Sequence, residues 1–205
     1  MKIKSLLLIL ILALGMNVAG AAVTAAGFMK DAANMLTSSR SLTSGFKIES
    51  AGQQPVSGSI AVKGDRFAIT TPVSSTVYDG KTQWTVSTSD KEISIFEPTS
   101  DEVAQVNPFA IIRNYNRDFN LKLLSADNTA VKIQLTPKQS GSTIKSVIIT
   151  FAAASKQPQK MSITLDDGTT LHVSISNLNM KADIPESRFK VSQKDYPGYD
   201  IIDLR

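Results

Sequence analysis

The stretch Val77-Tyr78-Asp79-Gly80-Lys81-Thr82-Gln83-Trp84 reads as a β-hairpin. Asp-Gly tolerates the positive φ that a tight turn demands, and beyond it Trp84 and Val86 recur at a spacing of two. That spacing puts side chains on one face of an extended strand. The same period extends outward from the hairpin in both directions. Upstream lie Phe46 and Ile48, Ile60 and Val62, and Phe67 and Ile69; downstream lie Ile93 and Ile95. The second half of the chain repeats it with Leu121 and Leu123, Ile133 and Leu135, Val147 and Ile149, Met161 and Ile163, and Val173 and Ile175. Asp167-Gly168 is another hairpin dipeptide, and Gly52, Gly64 and Gly141 mark looser connections. Neighbouring strands joined by links this short run antiparallel. The expected class is mainly β with some helix (α+β), with about ten to eleven strands in series.

Two segments change period. Val23 to Ser39 carries Phe28, Ala32, Met35 and Leu36 at helical spacing. Asn107-Pro108-Phe109 offers an N-cap and a proline pre-set for a first turn, and Phe109, Ile112 and Arg113 continue the helix to about Asp118. Pro185-Glu186-Ser187-Arg188 suggests one more turn before a last pair of strands around Phe189–Val191 and Tyr199–Leu204.

The N-terminus has its own logic. Lys2 and Lys4 precede an apolar run from Leu6 to Leu14, too short for the roughly 20 residues of a membrane span, and Ala19-Gly20-Ala21 supplies small residues for cleavage. Residues 1–21 are expected to be a signal peptide, which directs the chain to the periplasm, and 22–205 a single domain. No cysteine follows the run, so a soluble mature chain is expected, and the absence of Cys throughout excludes thiol chemistry and thiolate metal sites. The formal charge of +4 includes Lys2 and Lys4, which leave with the signal, and no basic run tracks nucleic acid. A monomer is expected.

Catalytic spacing is missing. The single histidine, His172, sits between Leu171 and Val173 in a strand, without a nucleophile motif around it. Gly80-Lys81-Thr82 imitates the end of a phosphate loop, but Ser75 stands where its first glycine belongs, and a strand follows instead of a helix. Asp166 and Asp167 are adjacent and precede Gly168, which is turn chemistry. No enzyme activity, cofactor or metal is expected. An antiparallel sheet of this length curls, and helices must cover its concave apolar face. Periodicity alone leaves two outcomes open, a completely filled core and a ligand cavity.

Five segments carry a family resemblance: Gly58-Ser-Ile-Ala-Val-Lys63 followed by Phe67, Val77 to Trp84, Asn107-Pro-Phe-Ala-Ile-Ile112, Leu135-Thr-Pro-Lys138 and Ser187-Arg-Phe189. In order and approximate spacing the chain resembles LolA-type periplasmic outer-membrane lipoprotein carriers. The resemblance implies an unclosed antiparallel half-barrel with a helical lid over its apolar concave face. It implies lipid-binding residues on the sheet side at Ile60, Val62, Phe67, Ile69, Trp84, Val86 and Phe96, and lid residues at Phe109 and Ile112. For Trp84, lipid contact and core filling both remain open. It further implies a shuttle that takes acylated lipoprotein cargo from an ABC-type release complex of the inner membrane to an acceptor at the outer membrane. One departure stands out. Where the family carries Arg-Pro after the Val-Lys pair, with the arginine locking the lid, this chain has Gly64-Asp65-Arg66. Either Arg66 takes over the lock or that bond is missing. Two alternatives stay open: a carrier of another amphiphile such as a glycolipid or lipid precursor, and a lipid-sensing regulatory domain of the same fold.

Overall fold

The computed structural model describes residues 23–205, and the signal segment expected over residues 1–21 lies outside them. The chain opens with helix α1, Ala25–Ser38, whose N-cap Thr24 accepts a hydrogen bond from the Gly27 amide at 3.1 Å. Six strands follow: β1 Ser41–Glu49, β2 Val56–Lys63, β3 Arg66–Thr70, β4 Ser74–Tyr78, β5 Gln83–Ser87 and β6 Glu92–Phe96. Helices α2, Ser100–Val106, and α3, Pro108–Asp118, interrupt the sheet. Then come β7 Phe119–Ala126, β8 Ala130–Pro137, β9 Ile144–Ala152, β10 Pro158–Leu165 and β11 Thr170–Asn179. Two 3-10 turns, Glu186–Phe189 and Gln193–Asp195, lead to β12, Asp200–Asp203.

All twelve strands belong to one sheet, in the order β12-β6-β5-β4-β3-β2-β1-β11-β10-β9-β8-β7. The sheet is unclosed, with β12 and β7 at its two edges, and strands β1 to β11 pair antiparallel as expected. Three details differ from the sequence reading. The strands number twelve. The helix expected at Asn107 is preceded by α2, announced by a capping box in which Thr99 and Glu102 bond each other's backbone. Asn107 ends α2 and caps α3, its side chain accepting from the Phe109 amide at 3.1 Å. Finally, Phe189 lies in a 3-10 turn, and the one strand near the C-terminus, β12, pairs parallel with β6. The reason is the route of the chain. After β11 it crosses the back of the sheet, so β12 arrives beside β6 without a hairpin.

Register divides the sheet into an inner face, toward the helices, and an outer one. Directly paired residues share a face. Leu42 opposes Val62, Val62 opposes Phe67, and Ile60 opposes Ile69, all on the inner side. Phe46 and Ile48 oppose Ile175 and Val173, and Met161 and Ile163 oppose Val173 and Leu171, so the apolar inner face continues through β11 and β10. Helices α1 and α3 cover it. Phe28, Met29 and Leu36 of α1 join Phe109 and Ile112 of α3 and the sheet residues in one main core. Burial of each such side chain stabilises by roughly 1.5–3 kcal/mol.

Strands β4 to β6 reverse this pattern. Phe67 opposes Tyr78 and Tyr78 opposes Gln83, so the inner-facing residues here are Ser74, Thr76, Tyr78, Gln83, Thr85, Ser87, Glu92, Ser94 and Phe96. Val77, Trp84, Val86, Ile93 and Ile95 face outward. The segment after β11 covers them. Ile184 and Phe189 pack with Ala61, Ala68 and Val77, while Val191, Tyr196 and Tyr199 pack on Val86, Ile93 and Ile95. Lys63 and Arg66 both reach Glu186 on this outer side, and the Arg66 guanidinium lies 5.1 Å from the Phe189 ring centroid.

Candidate functional site

Between the inner face of the sheet and the α2–α3 junction lies an apolar cleft of about 200 Å³. Its floor is Phe46 and Ile48 of β1, Ile60 of β2, Ile69 of β3, Ile163 of β10 and Val173 of β11. Its roof is Gln105 and Val106 of α2 and Pro108 of α3, and Thr71, Ser74 and Thr76 form one side wall. Val106 is exposed at the rim, an unusual position for a valine in a helix that caps a core. Gly58 makes room for the floor. A Cβ there would run into the Thr70 carbonyl oxygen of β3 and lie 2.7 Å from Phe46 Cζ, so the close approach of β3 and the Phe46 ring needs glycine.

The residues singled out from the sequence divide into three groups. Ile60 and Ile69 line the cleft, while Val62 and Phe67 lie deeper on the same face, sealed beneath the helices. Phe96 is also on the inner face, half-buried on β6. Trp84 and Val86 point the other way. They belong to the outer cluster under Val191, so the seven residues do not form one lining. The physical reason is register: the turns between β3 and β5 carry the chain so that alternate residues, Gln83 and Thr85, face inward. Trp84 is therefore a packing residue of the outer face.

Phe109 and Ile112 lie on α3 in the helical cover, both wholly buried against the main core. Arg66 is not the lid lock. It faces outward, onto Glu186 and Phe189, because it alternates with the inward Phe67. The helix supplies its own tie instead: Arg113 of α3 donates from Nη1 to the Gly64 carbonyl in the β2–β3 turn. Burial lowers the Arg113 pKa from its ordinary value, with Asp65 acting in the opposite sense, and its buried Nε has no partner. Arg113 also borders a polar cavity of about 250 Å³ shared with Asp65, Tyr78, Asn107, Asn114 and Arg117. Tyr78 has its pKa raised, chiefly by burial and further by Asp65 and Asp79.

Sequence reasoning missed Phe46, Ile48, Ile163 and Val173 as site residues although it placed all four in strands. Their signal, period two, was present; what brings them together is the pairing of β1 with β11, strands far apart in the chain. Gln105 and Val106 were missed with α2 itself.

His172 lies on the exposed face with Ser162 Oγ 3.1 Å from its Nδ1, and Glu49 sits opposite it on β1. The row imitates a triad. Glu49, however, gives its carboxylate to Lys47 at 2.6 Å, an arrangement that lowers its pKa and leaves the imidazole without an orienting acid. Among the described residues no cluster of three metal-ligating side chains occurs, and no helix is long and apolar enough to cross a membrane.

What this geometry can do is shelter an apolar chain. As seated, the helices leave less room than the roughly 300–1,000 Å³ of pockets that enclose a drug-sized ligand, so a multi-chain lipid requires them to lift. Solved structures share the fold. An uncharacterized conserved protein from Thermus thermophilus superposes with a TM-score of 0.59 at 10% identity, over 88% of this chain and 99% of that one. A DUF1329 family protein from Desulfovibrio piger gives 0.52 at 10% identity, over 82% and 98%. A LolA superfamily protein from Nitrosomonas europaea gives 0.48 at 14% identity, over 83% and 99%. No curated protein matches the chain. The family model described as outer membrane lipoprotein carrier protein LolA matches residues 17–169, from within the N-terminal segment to the turn between β10 and β11. The chain belongs to that LolA family.

Proposed function

We propose that the protein is a periplasmic carrier that holds the acyl chains of lipoproteins and shuttles them between membranes. Residues 22–205 form the working domain, monomeric after signal cleavage near Ala21. An ABC-type release complex in the inner membrane loads it, and an acceptor at the outer membrane unloads it. The single observation that carries this reading is the apolar cleft under a helical cover tied down by one arginine. Membership of the LolA family supports it. The energetics fit a carrier that does no chemistry. Each buried methylene is worth about 0.8 kcal/mol, so acyl chains leave a bilayer only for a site of comparable apolarity loaded by an energised donor.

The mature chain is expected to bind an apolar fluorescent fatty-acid analogue stoichiometrically and to release it to an acylated peptide. Ile69→Glu, on the cleft floor, should abolish that binding with the far-ultraviolet dichroism unchanged. A wild-type protein that ignores the probe, or holds it against acylated peptide, overturns the reading. The lipid-sorting arm is separate. Depletion in the native cell should strand lipoproteins at the inner membrane, and unchanged sorting would favour a carrier of another amphiphile, which the altered Gly64-Asp65-Arg66 region would permit.

A further inference from the structure

The side wall of the cleft begins a row of polar side chains on the inner face. Thr76, which lines the cleft, is followed across the inner face by Thr85 on β5, and Thr85 by Gln83 on the same strand. Their mutual bonds are slack: Thr76 Oγ1 to Thr85 Oγ1 is 3.5 Å, and Gln83 Nε2 to Thr85 Oγ1 is 3.4 Å, both at the outer limit of a hydrogen bond. Gln83 is only 5% exposed, yet its Oε1 has no partner. Turning the amide over would leave its nitrogen in the same position, so one end is unpaired either way. A buried, unpaired amide is costly, whereas Leu42, Ile60, Val62 and Phe67 fill inner positions of β1 to β3 with apolar side chains. The hydroxyl row thus begins in an apolar cleft and ends at a buried group that wants a hydrogen-bonding partner.

We infer that Thr76, Gln83 and Thr85 form a head-group site, adjoining the acyl cleft at Thr76, for a neutral lipid head that bears hydroxyl or amide hydrogen-bond donors. The inference rests on the carrier reading and deepens it by naming what accompanies the acyl chain. Apolar chains lie over Ile60 and Ile69, and the polar head turns toward β4 and β5. Two sources share that chemistry: the amide-bearing first residues of a lipoprotein, and the sugar of a glycolipid.

The test uses the mature chain and three ligands with identical acyl chains: a diacylated cysteinyl dipeptide, a glycosyl diacylglycerol and a donor-free diacylglycerol methyl ether. Wild type should prefer at least one headed lipid over the ether by about 3- to 10-fold for each hydrogen bond made. Thr85→Val with Gln83→Met, which keeps side-chain bulk and touches no residue of the cleft lining, should remove most of that preference and leave affinity for the ether unchanged. Preference for the dipeptide assigns the lipoprotein source, and preference for the glycosyl lipid the sugar. A wild type without preference, a double variant that retains it, or an equal loss for headed and donor-free lipids overturns the inference. Failure to bind even the ether and the fatty-acid probe instead defeats the carrier reading on which it rests.

Discussion

Strands β3 and β5 carry the same kind of alternation and use it in opposite senses. In β3 the apolar pair Phe67 and Ile69 faces the helices, and Arg66 points out to Glu186. In β5 the large apolar pair Trp84 and Val86 faces away, and Gln83 and Thr85 point in. The first strand builds the cleft, and the second turns its bulk to the segment that follows β11. A sheet that is covered on both faces in different places can thus reverse its pattern without a break in pairing, giving one apolar and one polar wall to a single concavity.

The sharpest way to break that contrast is Phe67→Ala. Phe67 is wholly buried on the inner face, and its truncation should cost about 3–5 kcal/mol in urea unfolding, with the main core opened and probe affinity reduced. A loss under 1 kcal/mol would show that the inner core does not depend on β3.

On the other side of the sheet, Ile93→Val should cost only about 0.5–1.5 kcal/mol and leave probe affinity unaltered, since Ile93 packs under Val191, Tyr196 and Tyr199. In the same experiment Trp84 emission should stay constant on probe addition yet shift when residues 184–205 are removed. An indole that tracks the probe would put β5 back into the cleft lining.

The smallest effect is expected at the ion pairs that fasten the outer cover. Arg66, and after it Lys63, hold the Glu186 carboxyl down at about 2, below its ordinary 4.5, by hydrogen bonding to it. A carboxyl lowered in the folded state contributes stability that is complete above about pH 4.5 and fades as pH falls through about 2. The difference in Tm between wild type and Glu186→Gln should be constant at neutral pH, shrink across that acid window and narrow with salt, because the group is exposed. A difference that grows on acidification would contradict the pairing.

Much of this architecture was legible in the residues. The hairpin at Asp79-Gly80, the helix capped by Asn107 and the period of nearly every strand could be read directly, because turn chemistry, capping and alternation are local. The facing of a strand is not local. Whether Trp84 points in or out depends on how many residues the turns at Thr71–Val73 and Asp79–Thr82 take up, and one residue more would reverse it. The tie from Arg113 escaped for a similar reason: Arg113 was visible on its helix, but its acceptor is a carbonyl, and carbonyls have no signature in a sequence. The second helix, α2, was hidden by brevity, at seven residues, although Thr99 and Glu102 spell its capping box.

The pairing of β1 with β11 has a consequence for how the molecule comes into being. Every other antiparallel contact joins strands adjacent in sequence, so two meanders, β1 to β6 and β7 to β11, can each zip by local hairpins. Phe46 meets Ile175 only after the loop between those meanders has closed, an entropically slow event. The cleft floor takes Phe46 and Ile60 from the first meander and Ile163 and Val173 from the second. Neither half contains the cleft, so it arrives late in folding, with the closing of that one seam.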